Sequence, residues 1–244
     1  MSLSSALVII PARLGATRLP RKPLADICGK PMIVRVVDQA RNAGIGRAVV
    51  ACDHPDIKAA VEAHGGEAVM TSPDHESGSD RIQEAANTID PDRHYDVVLN
   101  LQGDVPLIEP AAVQAAFKPL EDPAVDIGTI MTDITDSEFR DDPSFVKTVT
   151  TPLPNGCHRA LYFTRATAPT GDGPIFQHIG VYAYRRQALD KFVSLPPSPL
   201  EIREKLEQLR ALEAGMRIDV SIIDSAPMDV NTPDDLERAR QALS

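Results

Sequence analysis

The stretch VIIPARLGATRLPRKPL, from Val8 to Leu24, joins an apolar segment to a basic loop. The apolar segment is rich in β-branched residues and predicts a buried strand over residues 6–10. No carboxylate occurs in the loop before Asp26, and its four cations are Arg13, Arg18, Arg21 and Lys22. In open α/β sheets ligands bind beyond the carboxyl ends of the strands, where Arg and Lys can hold an anionic chain such as a triphosphate. The stretch therefore predicts an anion-binding site; the alternative is a solvated basic loop.

Downstream of this loop, short apolar runs alternate with helical patterns as far as residue 104. We predict strands at 6–10, 47–53, 67–70 and 96–104, with helices at 30–44, 54–66 and 77–89 between them. This β-α order predicts an α/β fold, with a mainly parallel sheet between helices.

After about residue 120 the pattern changes. A Pro-Asn-Gly turn within 145–163 predicts an antiparallel hairpin, and 176–185 and 216–224 read as further strands. Ser198 and Thr232 are capping residues, each followed three positions later by an acidic residue, Glu201 and Asp235, and they predict helices over 198–215 and 231–243. We expect a single domain over 1–244 that contains a smaller, β-rich antiparallel insertion at about 125–190.

The charge of the chain is unevenly distributed. The net charge is −10, yet residues 1–50 hold eight Lys or Arg and only two Asp or Glu. An acidic protein favours neither nucleic acid nor a membrane surface as a partner, whereas a basic region on an acidic body favours a small anionic ligand.

Targeting signals are not apparent in the sequence. No apolar run approaches about 18 residues, so no membrane span is expected. The first ten residues lack the basic start of a signal peptide. The three cysteines have neither metal nor disulfide spacing and are expected to be reduced thiols. These features predict a cytoplasmic protein.

The two commonest phosphate-binding loops are absent from the sequence. A Walker loop needs G-x4-G-K-[ST], but Gly15 is followed by ATRLPRK. No G-x-G-x-x-G follows a predicted strand, which argues against a dinucleotide-dependent oxidoreductase.

Two further segments favour nucleotide and metal binding. Asp104 ends an apolar strand in QGD, where a carboxylate needs a partner such as Mg2+; a helix cap or an ion pair is the alternative. Ser77 and Arg81 lie at a predicted helix start, which offers N–H groups and hydroxyls to a polar ring; ordinary capping is the alternative.

The β-rich part carries a second group of polar residues. Arginine suits a carboxylate, whereas Gln, Glu and His suit sugar hydroxyls. The candidates are Arg165, His178, Tyr182, Glu207 and Gln208. A histidine in a strand is more often structural than functional, so these residues alone carry little weight.

Motifs in order across about residues 7–243 resemble the 3-deoxy-manno-octulosonate cytidylyltransferase (CMP-Kdo synthetase) family. They are VIIPARLGATRLPRKPLADICGKPMI, SGSDRI, NLQGDVPLI, RALYFTRATAP, HIGVYAYRR, LEQLRALEAG and NTPDDLE. The resemblance implies a nucleotide-diphospho-sugar transferase fold whose β-rich part serves sugar binding and dimerisation. It also implies Mg2+-dependent transfer of CMP from CTP to the anomeric hydroxyl of 3-deoxy-D-manno-octulosonate (Kdo), an acidic eight-carbon sugar, for lipopolysaccharide biosynthesis in a cytoplasmic homodimer.

The resemblance also implies roles for individual residues. It assigns Arg13, Arg18 and Lys22 to the triphosphate, Ser77, Arg81 and Gln102 to the nucleotide, and Asp104 to the metal. It assigns Arg165, His178, Glu207 and Gln208 to the sugar acid, and Tyr182 remains a candidate for the same site from the β-rich pattern. Arg13, Arg18, Lys22 and Asp104 are the predicted catalytic residues.

Two positions depart from the family pattern. Arg21 replaces the glycine of LPGKPL, and Asn231 replaces the metal-binding aspartate of VDTPEDLE. An amide oxygen is a weaker, neutral ligand. Asp229 lies two residues earlier, on the same face if the segment is extended, and we hypothesise that it supplies the missing charge. Two alternatives stay open: another ulosonic or nonulosonic acid as substrate, or a catalytically weak CTP-binding relative.

Overall fold

The computed structural model of the chain describes residues 6–15, 18–75, 77–135 and 137–243. The chain divides into two compact units, residues 1–113 with 227–244 and residues 114–226. Ala16 and Thr17 of the basic loop and the first five residues lie outside the described part. The second unit includes the predicted insertion at 125–190 and extends beyond it in sequence at both ends. The single-domain assignment stays a prediction.

The first unit is built on four parallel strands in the order β5-β4-β1-β6. The strands are β1 (Ala6–Ala12), β4 (Gly46–Cys52), β5 (Ala68–Met70) and β6 (Val97–Asn100), with a small antiparallel pair of β2 (Asp26–Ile27) and β3 (Lys30–Pro31). The helices are α1 (Met32–Asn42), α2 (Pro55–Ala63), α3 (Gly78–Ile89) and α4 (Pro110–Ala115), and residues Lys22–Leu24 form a short 3-10 helix. Each of β1 and β6 is buried along almost all of its length, as strands between helices must be.

Strand β6 ends four residues before the predicted end at Asp104. The last ladder bond runs from the Leu101 N–H to the Ile9 carbonyl. The next bond would need the N–H of residue 11, and Pro11 has none. Gln102, Gly103 and Asp104 therefore leave the sheet in a turn.

The second unit contains the antiparallel part. Its five strands lie in the order β10-β7-β11-β9-β8, and β8 also pairs with β10; the β7–β11 pair is parallel and the other pairs are antiparallel. They are β7 (Ile127–Asp133), β8 (Lys147–Pro152), β9 (His158–Thr164), β10 (Phe176–Arg185) and β11 (Ile218–Ile222). The helices are α5 (Ser137–Arg140), α6 (Arg186–Ser194), α7 (Pro199–Glu204) and α8 (Leu209–Glu213). The β8–β9 hairpin and the strand at 176–185 are as predicted.

The predicted continuous helix at 198–215 is wrong. The expected capping box between Ser198 and Glu201 is present, but α7 ends at Glu204, and the next residue, Lys205, has a left-handed backbone with φ 57°. The Arg165 guanidinium donates to the carbonyls of Glu204, at 3.0 Å, and Lys205, at 3.5 Å. These contacts satisfy the end of α7 and stabilise a turn over 205–208 before α8 begins.

The chain returns to the first unit in α9 (Pro233–Ala242). Thr232 caps this helix in the predicted capping box with Asp235. Val230, Leu236 and Ala239 pack in one apolar cluster with Leu19, Ile27 and Met32. None of the helices in the described part of the chain is both long enough and apolar enough to cross a membrane.

Candidate functional site

The first unit contains a cavity of about 420 Å³ beyond the ends of β1 and β6. Every residue predicted for the triphosphate and the nucleotide lines it, as do Asp104 and Asn231. The lining consists of Pro11, Ala12, Arg13, Arg18, Leu19, Lys22, Pro23, Met32, His75, Ser77, Gly78, Arg81, Gln102, Gly103, Asp104 and Asn231.

The cations of the basic loop divide into two groups. Arg13 and Arg18 are exposed on the cavity wall and Lys22 lies deeper. Arg21 is not part of the lining, and its guanidinium donates to Asp56 Oδ2 at 2.7 Å. Its backbone is left-handed, with φ 54°, a conformation that glycine adopts without strain. This explains the glycine that the resemblance implies at position 21.

Lys22 joins two of the predicted metal ligands. Its Nζ donates to Asp104 Oδ2 at 2.8 Å and to Asn231 Oδ1 at 2.9 Å. The lysine side chain is 16% exposed and that of Asp104 is 29% exposed, so this ion pair is only partly screened by water. A carboxylate oxygen and an amide oxygen thus share one cation at the cavity wall.

Backbone contacts hold these two oxygens near each other. The Val230 N–H donates to the Asp104 carbonyl at 2.9 Å. The Asp235 carboxylate accepts from the Asn231 N–H at 3.0 Å and from the Thr232 N–H at 2.8 Å. The start of α9 therefore fixes the segment that carries Asn231 against the turn that carries Asp104.

Asp229 is an exposed residue and is not part of the cavity lining, but its carboxylate interacts with the charges of Asp104 and Lys22. Although part of its surface is open to solvent, surrounding protein desolvates the carboxylate and raises its pKa to about 6. The negative charge of Asp104 raises it further, and the Lys22 ammonium opposes this shift. The carboxylates of Asp104 and Asp229 are close enough to repel each other, and the Lys22 ammonium does not fully compensate their negative charge.

The predicted nucleotide segment is capped at its start and held by the residue that follows β5. The Ser77 hydroxyl accepts from the Asp80 N–H at 3.1 Å and so caps α3. Arg81 is 4% exposed, and its Nη1 donates to Thr71 Oγ1 at 2.5 Å. Capping and cavity lining are thus combined in one residue, Ser77.

Asp53 is a contact residue that sequence reasoning missed. It follows β4, and its Oδ1 accepts from the N–H of Leu14 in the basic loop at 2.9 Å. Its Oδ2 lies 3.9 Å from Arg81 Nη2. Asp53 therefore links the basic loop to the nucleotide segment. The sequence signal that could have identified Asp53 is a carboxylate directly after an apolar strand.

In the second unit, Arg165 holds loop carbonyls. Its guanidinium donates to Pro143 O at 3.0 Å as well as to the two carbonyls at the end of α7. Its backbone N–H donates to Glu204 Oε2 at 3.0 Å. Arg165 thus organises the turn that carries Glu207 and Gln208.

His178 and Tyr182 lie together on β10. Their ring centroids are 5.3 Å apart, and His178 Nε2 is 3.0 Å from Thr129 Oγ1. Burial lowers the pKa of His178 to about 3. Burial also raises the pKa of Tyr182, and the charge of Glu207 contributes to this shift, which places that carboxylate near the phenol. Gln208 is buried at the start of α8.

Comparisons with known proteins bear on these sites. A sequence model of the family described as Cytidylyltransferase matches residues 7–218. The 3-deoxy-manno-octulosonate cytidylyltransferase of Rhodopseudomonas palustris strain CGA009 is 60% identical over 243 residues, which cover 100% of this chain and 99% of that protein. The enzyme of the same name from Rhizobium meliloti strain 1021 is 60% identical over 238 residues, which cover 98% and 95%. The chain belongs to the 3-deoxy-manno-octulosonate cytidylyltransferase family.

Solved structures agree with this membership. The structure of CMP:2-keto-3-deoxy-manno-octonic acid synthetase complexed with CTP has a TM-score of 0.90 at 40% identity, covering 98% of each chain. A 4-diphosphocytidyl-2C-methyl-D-erythritol synthase from Anaerococcus prevotii has a TM-score of 0.64 at 13% identity, covering 99% of each chain, and shares the fold alone. The predicted nucleotide-diphospho-sugar transferase fold is confirmed. As a member of the 3-deoxy-manno-octulosonate cytidylyltransferase family, the chain is a cytidylyltransferase.

Within this family assignment, the roles of individual residues stay predictions. The structure brings Arg13, Arg18, Lys22, Ser77, Arg81, Gln102, Asp104 and Asn231 to one cavity. It groups the five sugar-acid candidates within the second unit.

Proposed function

We propose that the chain transfers CMP from CTP to the anomeric hydroxyl of Kdo, with release of pyrophosphate, and so supplies lipopolysaccharide biosynthesis. The main support is the cavity of the first unit, where a basic loop, a helix start and the carboxylate of Asp104 line one space. The curated relatives at 60% identity carry the name of this reaction.

The basic loop suits the triphosphate. As the anomeric oxygen attacks the α-phosphorus, negative charge grows on the departing pyrophosphate. Arg13, Arg18 and Lys22 are cations that line the cavity, and they would stabilise that charge more in the transition state than in the ground state. No covalent intermediate with the protein is needed, because positioning and charge stabilisation account for the chemistry.

The nucleotide segment suits the cytidine part. Ser77, Arg81 and Gln102 line the same cavity, and Arg81 is held by Thr71. An arginine that is nearly buried and already oriented loses little rotamer entropy when it donates to a polar ring.

The residues around Lys22 also suit Mg2+. Asp104 and Asn231 already hold one cation, the Lys22 ammonium, between two oxygens, and Asp229 adds a carboxylate with an incompletely compensated charge. Hard oxygen ligands in this number are typical of Mg2+, whose shell is completed by substrate phosphates and water. The described residues contain no group of three or more His, Cys, Asp or Glu able to hold a metal ion by themselves. Bound Mg2+ would neutralise the triphosphate and the growing charge on the leaving group.

Asp229 should supply the charge that Asn231 lacks. Replacing Asp229 with Ala should weaken Mn2+ binding in the presence of CTP, measured by electron paramagnetic resonance, and raise the Mg2+ concentration needed for half-maximal turnover. Asp224→Ala, on the exposed loop that precedes the segment, is the control. Unchanged Mn2+ binding in Asp229→Ala would show that the hypothesis is wrong.

The sugar acid is assigned to the second unit. His178, Tyr182, Glu207 and Gln208 offer hydroxyl-binding groups, and Arg165 holds the turn that carries two of them. We also expect the chain to act in the cytoplasm as a homodimer; light scattering of the purified chain would test the dimer.

Pyrophosphate release tests the whole proposal. CTP, Kdo and Mg2+ together should give stoichiometric pyrophosphate, and omission of Kdo should abolish it. Asp104→Asn should lower kcat strongly, whereas Asp56→Ala, which removes the exposed partner of Arg21, should not. Turnover only with another ulosonic or nonulosonic acid would redefine the substrate, and CTP binding without turnover would identify a catalytically weak relative.

A further inference from the structure

Strand β10 contains an irregularity beside His178. Its register with β7 shifts between Ile179 and Tyr182, as in a β-bulge. The shift leaves two carbonyls beside the Thr129 hydroxyl: Val181 O lies 2.8 Å and Ile179 O lies 3.3 Å from Thr129 Oγ1. Thr129 is fully buried, so these contacts replace water.

The Thr129 hydroxyl can give only one proton. Carbonyl oxygens only accept, so the shortest contact, to Val181 O, uses the single hydroxyl hydrogen. Thr129 Oγ1 also lies 3.0 Å from His178 Nε2. Because the hydroxyl proton is already used, the imidazole must donate in this contact. His178 therefore carries its proton on Nε2.

The other ring nitrogen of His178 is then an acceptor. His178 as a residue is 8% exposed, and its ring packs against Phe163, at 4.9 Å between centroids, and Tyr182. Burial keeps the pKa of His178 at about 3, so the ring is neutral at ordinary pH. Within the described residues Nδ1 has no hydrogen-bond partner.

We propose that Thr129 is a positioning residue that fixes His178 as the Nε2–H tautomer, so that Nδ1 accepts a hydrogen bond from a hydroxyl of the acid sugar. This inference rests on the proposed function and deepens it. A neutral acceptor cannot hold the carboxylate of the sugar, which has no proton to give at neutral pH. The contact instead selects for a hydroxyl, and an analogue that lacks it loses affinity because Nδ1 stays unpaired.

Imidazole NMR tests the tautomer without any substrate. In 15N-labelled protein, with the signal assigned from a His178→Gln variant, His178 should show a protonated Nε2 and an unprotonated Nδ1. Thr129→Val, which removes the acceptor, should populate the second tautomer, and Thr129→Ser should retain the first. A wild-type spectrum with Nδ1 protonated overturns the proposal, even if neither variant folds.

Substrate binding tests the acceptor role. Saturating Kdo should shift the Nδ1 resonance of His178, and Thr129→Val should raise the KM for Kdo roughly tenfold with the KM for CTP unchanged. Thr148→Val is the matched control, because Thr148 is equally buried on β8 and its Oγ1 has no partner in the described residues; its KM values should stay at wild type.

The outcomes separate this inference from the proposed function. An unshifted Nδ1 signal in an enzyme that turns over Kdo overturns the acceptor role alone. Absence of turnover with every acid sugar overturns the proposed function. In that case the acceptor role is refuted as well. The substrate-free spectrum still decides whether His178 carries its proton on Nε2.

Discussion

Replacing Asp53 with Ala removes a contact that two parts of the cavity share. Asp53 Oδ1 accepts from the Leu14 N–H in the basic loop at 2.9 Å, and Oδ2 lies 3.9 Å from Arg81 Nη2. The Asp53 side chain is 15% exposed, so water replaces these contacts poorly. Asp53→Asn keeps an oxygen acceptor for Leu14 but loses the charge that faces Arg81.

The expected size of the effect follows from these contacts. A hydrogen bond to a charged group contributes about 1.5–3 kcal/mol. If CTP binding must restore the order of the loop, Asp53→Ala should weaken CTP binding roughly tenfold to a hundredfold, because 1.4 kcal/mol corresponds to a factor of ten. Asp53→Asn should weaken it less than roughly tenfold, because the shorter contact survives.

Calorimetric titration with CTP and with its parts would locate the effect. Asp53→Ala should weaken binding of both tripolyphosphate, which tests the basic loop, and cytidine, which tests the Arg81 side. Asp53→Asn should weaken the binding of cytidine more than the binding of tripolyphosphate. Asp56→Ala is the control, since its carboxylate is 47% exposed and pairs with Arg21 outside the cavity.

One result would refute this reasoning. If Asp53→Ala and Asp56→Ala are both folded and bind CTP equally tightly, Asp53 does not order the cavity. If Asp53→Ala lowers the free energy of unfolding but leaves CTP binding unchanged, Asp53 has a structural role alone.

Three further predictions concern stability, each measured by urea unfolding. Gly103→Ala should destabilise the chain by about 1–3 kcal/mol, because the new Cβ would lie 2.8 Å from the Pro11 carbonyl; an unchanged midpoint would contradict this. Asp219→Ala should destabilise it by about 3 kcal/mol, because this fully buried carboxylate compensates two arginines; a loss below about 1 kcal/mol would contradict this. Burial opposes ionisation of Asp235, but hydrogen bonds, including those at Thr232, lower its pKa to about 2. Ionised Asp235 therefore adds about 2 kcal/mol above pH 4, and the deficit of Asp235→Ala should shrink as pH falls towards 2; a constant deficit would contradict this.

Local signals in the sequence predict their elements well. The Thr232–Asp235 capping box and the β8–β9 hairpin depend on residues only a few positions apart, and both occur as predicted. The order of strands and helices in the first unit could also be predicted from local sequence, because each element has its own hydrophobic period.

Contacts between distant residues could not be predicted in this way. The helix pattern at 198–215 is continuous in sequence, and the break at Lys205 depends on Arg165, which belongs to another element. The role of Asp53 depends on β4 lying beside β1, and the orientation of Arg21 depends on Asp56. Residue types indicate a candidate site, whereas their partners are set by tertiary structure.

The return of the chain to the first unit has a consequence for biosynthesis. Val230, Leu236 and Ala239 complete the apolar cluster that contains Leu19 and Ile27. During translation that cluster stays incomplete until residues 227–244 have been made, although most of the first unit emerges early. The nascent first unit therefore exposes apolar surface throughout synthesis of the second, and chaperones that bind such surface should associate with this chain before its release from the ribosome.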